Sequence, residues 1–369
     1  MLLTLLLFWI PLGIFLYHVL GYPIVITIVS WLFPHRLRID PQDLPQIDLI
    51  IPAHNEADVI AAKLESVFAN GYPRAKLHVI VACDGGTDDT VKVAQSAGAD
   101  LVLDLPRGGK AATINIAVVQ GLSPILAFSD ANALLLPGAL EQLVKPFADS
   151  RVGAVAGEQR ISRDVGAEGP YWRYESYLKR REALFSSAAG SDGSIHALRR
   201  DLFRPLPTDR IIMDDLSLSM MAPEHGKRIA YAPDAAAVEG SSPTWRVEFR
   251  RKSRIMAGTL HSLGFSRRSF CNFPFLLVFF SHKLLRYLGP WLIVIALISG
   301  FWAWDSFITL FFHLSLWATI GFSALGTVPI FRKAPLKFLA YFMLSQTALL
   351  RGWIAFFSLE YKPTWEKLR

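Results

Sequence analysis

From Met1 to His35 the sequence contains no Asp, Glu, Lys or Arg, and residues 2–33 form a near-continuous run of Leu, Ile, Val and aromatic side chains. A bilayer crossing needs roughly 20 apolar residues, so this run is long enough even when tilted. It is too long for the apolar core of a signal peptide and has no positive region before it, so residues 1–34 read as a retained transmembrane anchor. A second apolar region begins near Phe273. Residues 273–280 are too few to cross a bilayer and, with Lys283 and Arg286 behind them, read as an interfacial amphipathic helix within 265–285. Residues 287–304, 306–331 and 335–359 then predict about three further spans over 286–360, with Asp305 in the first hairpin. Arg351 lies inside the last of these, where mid-membrane placement costs roughly 2.5–3.5 kcal/mol unless the side chain snorkels to an interface or finds a polar path. The chain of 369 residues is 52% hydrophobic with a mean hydropathy of +0.33, which is high for a soluble enzyme.

Basic residues set the expected orientation. His35-Arg36-Leu37-Arg38 follows the first run, Arg250 to Arg254 and Arg267-Arg268 precede the second region, and Arg332-Lys333 with Lys337 separates the last two runs. The positive-inside rule puts these clusters, and the polar central segment with them, on the cytoplasmic side of a bacterial-type inner or plasma membrane. With four spans, the final YKPTWEKLR falls on the opposite side despite its own basic character. The net charge of +7 does not indicate a nucleic-acid partner. The excess Lys and Arg flanks apolar runs, where it meets anionic membrane lipids, and no aromatic-interleaved basic stripe or zinc-finger spacing is present. Two cysteines, Cys83 and Cys271, supply neither a disulfide framework nor a metal-binding spacing.

Residues 46–260 alternate between strand and helix patterns. Strands are predicted at 47–51 (stopped by Pro52), 77–82, 99–103, 125–128 and 152–156, and helices at 58–70, 87–97, 111–120 and 137–148. This alternation predicts an α/β domain with a mostly parallel sheet covered on both faces. Ligands bind such sheets beyond the carboxyl ends of the strands. His54-Asn55-Glu56, Asp84, and Asp130 with Asn132 all fall there. Plain alternatives exist: Asn55-Glu56 as a helix start, Asp84-Gly85-Gly86 as a turn with Thr87 or Asp88 capping the next helix, and Asp130-Ala131-Asn132 as an Asx turn. Yet Asp130 and Asn132 project two oxygens to one side of the chain, which suits Mg²⁺ or Mn²⁺ bound together with substrate phosphates. Arg107-Gly108-Gly109-Lys110 lacks the spacing of a nucleotide-hydrolysing phosphate loop. Asp214-Asp215 either starts the helix at 216–221 or supplies a carboxylate base. Trp172 and Trp245 suit either stacking on a ligand ring or interfacial anchoring.

In order and spacing, these motifs resemble the family 2 glycosyltransferases of GT-A fold, particularly membrane polysaccharide synthases. IDLIIPAHNEADVI resembles the opening strand, with His54 in place of the usual Tyr. ACDGGTDDT resembles the Asp-Gly-Ser-x-Asp pattern, with Cys83 for a common first Asp. RGGKAATINIAV follows as the Gly-Lys segment, and SDANA takes the place of the Asp-x-Asp, with Asn132 for the second Asp. MDDLSLSMM resembles the catalytic acidic element, and RRKSR stands where Gln-x-x-Arg-Trp is usual, with Ile255 for the Trp. The resemblance implies that Pro52, His54, Glu56, Asp84 and Lys110 hold the nucleotide sugar, expected to be a UDP-sugar. Asp130 and Asn132 would engage the metal, while Arg254 and Arg251 neutralise the departing diphosphate. Asp215 is the expected general base with Asp214 beside it, and Asp192 and Trp245 are expected to meet the acceptor. The reaction would be an inverting transfer of a hexosyl group to a lipid-linked or growing glycan acceptor.

Two other readings compete with single transfer. The first is a processive exopolysaccharide synthase, against which the missing Trp after Arg254 and the few spans argue. The second is a catalytically silent membrane scaffold of a glycan assembly system, to which the substitutions at Cys83, Asn132 and Ile255 give weight. A transporter is disfavoured because the carboxylates lie outside the apolar spans.

Overall fold

β1 (Ile47–Ala53) is buried along its entire length, as expected of a strand covered on both faces. It pairs in parallel with β2 (Leu77–Asp84) on one side and β4 (Ile125–Phe128) on the other, and β2 pairs in parallel with β3 (Leu101–Leu105). The sheet continues through β5 (Leu134–Leu135), β6 (Val152–Ile161), β7 (His196–Arg199) and β8 (Arg228–Glu239) in the order β3-β2-β1-β4-β7-β6-β8-β5. β7 runs antiparallel to both β4 and β6, so β6 and its parallel partner β8 point the same way as β1 and β4. The carboxyl ends of β1, β2, β4, β6 and β8 therefore share one edge. The computed structural model describes residues 2–37, 43–161, 168–240, 244–303, 306–325 and 334–364.

Alternation along the strands separates two apolar layers. Leu49, Ile51, Val79 and Val81 face α3 (Ala57–Phe68), α4 (Thr90–Ser96) and α6 (Ala139–Val144). Ile50, Ile80, Leu126 and Phe128 face α5 (Lys110–Val118), α7 (Glu168–Phe185) and α8 (Asp214–Glu224). That second layer also takes Tyr22 and Ile26 from the N-terminal apolar run, and Phe275, Val278 and Phe279 from the second apolar region. The apolar ends of the chain are thus bolted to one face of the α/β domain.

The N-terminal run forms α1 (Leu2–Leu16) and α2 (Tyr22–Leu32), joined by a π turn. After β8, α9 (Trp245–Phe265) leads through a short 3₁₀ turn to α10 (Phe273–Phe279), α11 (Leu285–Gly300), α12 (Phe307–Leu325) and α13 (Ala334–Phe357). Among the described residues two helices, Leu2–Leu32 and Phe273–Gly300, are long and apolar enough to cross a membrane by length and composition. Many of their large side chains are exposed, among them Leu20, Ile24, Trp31, Phe273 and Ile298.

Several expectations change. Pro52 does not end β1: it sits inside the strand opposite Ala82. It shares the parity of Ile50, whose carbonyl accepts from Ser129 on the β4 side, and β4 pairing stops at Ile50. The missing proline N–H thus points where no ladder remains to be broken. The separate interfacial helix at 273–280 is not seen, because α10 runs through a π turn into α11 as one helix of 28 residues. The helix packing also departs from four successive crossings. Trp353 donates to the Tyr287 carbonyl at 2.9 Å, and a Cβ on Gly289 would meet Gln346 at 3.0 Å, so α13 runs antiparallel to α11. The middle of α12, at Phe312, His313 and Leu316, packs against Phe8, Leu297 and Ala303 at the far end of the bundle. α13 therefore returns to the α/β domain, and Pro363 and Thr364 of the final stretch lie against Gly109. Arg351 sits near this returning end, half-buried and paired with Glu360. Arg38, Asp305, Arg332-Lys333 and residues 326–331 of the expected third span lie outside the described residues.

Candidate active site

Acid residues arrive at the common strand edge by different routes, and a lysine joins them. Lys110 is the first residue of α5, and its ammonium stands 2.6 Å from Asp130 Oδ1 and 3.0 Å from Asp214 Oδ2. Asp130 follows β4, whereas Asp214 opens α8, so this one side chain ties two separate elements across the site. Burial works against the Lys110 charge, but Asp130 and Asp214, helped by Asp215, outweigh it and hold the ammonium firmly protonated.

The loop before α5 is shaped from below. Asp84 ends β2, is fully buried, and its Oδ1 accepts from the backbone N–H groups of Gly108 (2.6 Å) and Gly109 (3.0 Å). Its Oδ2 takes the Arg107 guanidinium at 2.9 Å. Gly85, at φ +58°, lets this loop close, because a Cβ there would stand 2.6 Å from the Arg107 nitrogen. The Gly108 and Gly109 donors are therefore spent on Asp84 instead of facing a phosphate. His54 Nδ1 lies 2.8 Å from the Asp84 carbonyl, and Glu56 is buried at the start of α3, its N–H donating to Thr90 Oγ1.

Asp130 is held from the opposite side by the loop entering β7. Its N–H donates to the Gly193 carbonyl at 3.2 Å, and a Cβ on Gly193 would come within 2.8 Å of Asp130 Oδ2. Asp192, the preceding residue, forms an ion pair with Lys179 of α7, a lysine buried to 3% exposure. Ser191 Oγ donates to the Asp215 carbonyl at 2.8 Å, which binds this loop to the start of α8.

Asp214 and Asp215 occupy the first turn of α8, but the N-cap is Met213, so neither carboxylate takes the capping position. Ser262 Oγ of α9 fixes that start by accepting from Met213 N–H at 2.9 Å. Burial pushes the Asp215 carboxyl up to about 7, with Asp214 adding to the rise, while Lys110 and the Leu216 N–H oppose it. Lys110 sits directly on Asp214, next to Asp215 in the chain.

Four residues that the sequence reading overlooked complete the surroundings. Glu239 ends β8 and accepts from Gln159 Nε2 at 2.8 Å; burial and Asp130 push its carboxyl up to about 7 against Arg251, Lys110 and Lys63. Leu134 pairs with Val238, which places Glu239 beside the Asp130–Asn132 turn. Lys63 is completely buried beneath that turn, donating to Ser129 Oγ at 2.5 Å and to the Ala133 carbonyl, and burial lowers it to about 7. Lys179 is the buried partner of Asp192. His196 stacks on Phe128 at 5.1 Å and burial lowers it to about 4, so it is a neutral floor to the site. Glu239 carried a readable signal, an acid directly after an apolar strand, as Asp84 and Asp130 did. Lys63 could have been noticed as a lysine in the apolar stripe of Ile60, Leu64 and Val67. Nothing in the sequence marks Lys179 or His196.

The other expected residues are less central. Arg251 pairs with Glu248 at 2.9 Å on α9, and Arg254, one turn later, is half-buried. Trp245 is the first residue of α9 and Trp172 is the fifth of α7, both half-buried. Asn132 is half-buried beside Asp130, whose carboxylate is 32% exposed. Among the described residues no group of three or more His, Cys, Asp or Glu could hold a metal ion alone. Asp130 and Asn132 still fit Mg²⁺ or Mn²⁺, which accept a few protein oxygens and take the remainder from phosphates and water.

The family described as "Glycosyltransferase like family 2" matches residues 45–258. The chain is 24% identical over 242 residues to the "Probable glycosyltransferase YdaM" of Bacillus subtilis, covering 60% of this chain and 57% of that protein. It is 25% identical over 260 residues to the "Glycosyltransferase AglE" of Haloferax volcanii, covering 67% of this chain and 84% of the relative. The chain thus spans little more than half of the Bacillus relative. The solved mannosyltransferase PcManGT from Pyrobaculum calidifontis, in complex with GDP-Man and Mn²⁺, superposes with a TM-score of 0.74 at 24% identity, over 96% of this chain and all of that one. The fold is the GT-A arrangement that the motifs implied.

Proposed function

The chain belongs to the family 2-like glycosyltransferases, and on that premise we propose that it moves a hexosyl group from a nucleoside-diphosphate sugar to a lipid-linked or growing glycan acceptor at a membrane surface. The observation that carries this reading is Lys110 bridging Asp130 and Asp214. It joins the donor side of the edge, next to β1, β2 and β4, to the acceptor side at α8.

The donor's nucleotide end lies over His54, Glu56 and the 107–110 loop. Asp84 acts indirectly, by fixing that loop, where the sequence reading expected direct contact. Asp130 and Asn132 would hold Mg²⁺ or Mn²⁺, which would supply positive charge to the diphosphate. Lys110, Arg251 and Arg254 add charge where negative charge grows as the sugar–phosphate bond breaks, so they stabilise the transition state more than the ground state.

Asp215 takes the proton of the acceptor hydroxyl as it attacks the anomeric carbon from the face opposite the diphosphate, and this single displacement inverts the configuration. A carboxyl raised to about 7 is well matched to that task near neutral pH. Asp214, paired with Lys110, maintains that rise. Asp192, locked by Lys179, lies on the acceptor side. The exposed apolar faces of α2 and of the α10–α11 helix would seat the catalytic edge close to lipid, and Trp245 at the start of α9 would meet the acceptor or the interface.

The test is a panel of UDP- and GDP-sugars incubated with the full chain in detergent or vesicles, with Mg²⁺ or Mn²⁺ and with or without a membrane lipid extract. Release of nucleoside diphosphate that needs both metal and lipid extract is expected. Metal-independent release, or none with any donor, would refute the proposal. Product sizing should show single additions, whereas a ladder of long chains would favour the processive alternative.

A further inference from the structure

The stretch after α13 is turned back onto the donor side of the site. Leu359 adopts a left-handed conformation, with φ 52°, and the Glu360 N–H donates to the Ala355 carbonyl at 3.1 Å. The Glu360 carboxylate is gripped by the Arg351 guanidinium at 2.6 and 2.5 Å. This clamp fixes the direction in which the chain leaves the helix.

It runs directly to the loop that carries Lys110. A Cβ on Gly109 would stand 2.6 Å from the Pro363 carbonyl oxygen, 3.1 Å from its carbonyl carbon and 3.4 Å from Thr364 Cα. The contact is main chain against main chain, closer than any residue but glycine allows at that position. Gly109 is also the N-cap of α5, with φ +88°, so the residue that admits this segment is the one that launches Lys110 toward Asp130 and Asp214. Between the clamp and the loop, Tyr361 is half-buried within the field of Arg250 and Arg254 on α9, and Lys362 is exposed. The segment therefore lies between the arginines of α9 and the 107–110 loop, which were assigned above to the donor's diphosphate and to its nucleotide end.

We propose that residues 361–364 form a wall of the donor site, seating the nucleoside diphosphate between the 107–110 loop and Arg254 and shielding that side from water. The inference rests on the glycosyltransferase reading. It assigns a substrate-facing role to the segment after the last helix, and gives Gly109 a reason to be glycine beyond its backbone angle. The Tyr361 hydroxyl is a donor suited to a phosphate or ribose oxygen, and Lys362 adds a cation at the rim. The Arg351–Glu360 pair holds this wall closed without touching the ligand.

Binding of UDP and of GDP, each with Mn²⁺, to the full chain and to a chain ending at Glu360 tests it by calorimetry. Glu360→Gln and Tyr361→Ala serve as milder variants that leave the helix in place. The nucleotide that the full chain binds should bind about tenfold more weakly to the shortened chain, and in the same direction to both point variants, with thermal stability little changed. In a turnover assay, donor hydrolysis by water should rise relative to transfer. Equal affinity in all forms would overturn the wall while leaving the glycosyltransferase reading intact. Tighter binding to the shortened chain would overturn it too, by making the segment a plug. Failure of the full chain to bind either nucleotide would overturn the glycosyltransferase reading, and the wall with it.

Discussion

Lys110 concentrates the chemistry at the residue scale, because its side chain touches both the Asp130 and Asp214 carboxylates. Lys110→Met would leave two acids facing each other across a buried space. Transfer should fall by about 10²–10³-fold, as when a group stabilising charge in a transition state is removed, and a steady-state assay reads this directly. Asp215 gives a prediction with a sign. Its folded carboxyl is raised to about 7, so between the ordinary carboxylate range and that value the folded chain holds a proton the unfolded chain has released. The site's contribution to stability is full at low pH and is lost as pH rises through about 7. Asp215→Asn should raise stability at pH 8, measured without divalent metal, by about 0.5–2 kcal/mol while removing activity. In the wild type, kcat/KM should rise with pH through the same region, as a base must be unprotonated to act. Asp84, Lys110, Asp130, Asp214 and Asp215 were legible from the sequence because each stands at an element boundary in a recognisable motif. Whether a carboxylate faces ligand or holds a loop was not legible. That depends on which backbone N–H groups close around it, as Gly108 and Gly109 do around Asp84.

The first half of the α/β domain was legible at the scale of elements, since alternation and apolar periodicity are local. β4 matches its predicted bounds and β1, β2, β3 and β6 differ at their ends, where pairing rather than composition decides, whereas β5, β7, β8 and α7 had no counterpart in the sequence reading. Pro52 shows the limit: a proline stops a strand only if its missing N–H faces a neighbour, and sequence does not say which side has one. The close approach of the β7 entry loop to the β4 exit gives the prediction at this scale. Gly193→Ala would place a methyl 2.8 Å from Asp130 Oδ2 and push that carboxylate off Lys110. A loss of about tenfold or more in transfer is expected, in keeping with the sensitivity of catalysis to small misplacements. The melting temperature should change little, because the displaced group is partly exposed. If the activity of Gly193→Ala were unchanged, the tight loop would have no part in positioning Asp130.

Across the whole molecule, hydropathy marks apolar helices on either side of the α/β domain, but not how they pack. The antiparallel packing of α11 and α13, and the return of residues 361–364 to Gly109, follow from particular contacts such as Trp353 to Tyr287. Such contacts leave no trace in a hydropathy pattern. Because α2 and α10 pack on the same face of the sheet as α5 and α8, the apolar helices are tied to the acidic edge, and in the proposed function chemistry at that edge would be held at a fixed height above a lipid surface. The central claim is that this edge transfers sugar with Asp215 as its base. The most direct measurement compares wild type and Asp215→Asn in vesicles, following metal-dependent transfer and nucleotide binding side by side with the donor that the panel identifies. The account predicts nucleotide binding within about twofold of wild type and transfer reduced by about 10²–10⁴-fold. Transfer by Asp215→Asn at the wild-type rate would contradict it.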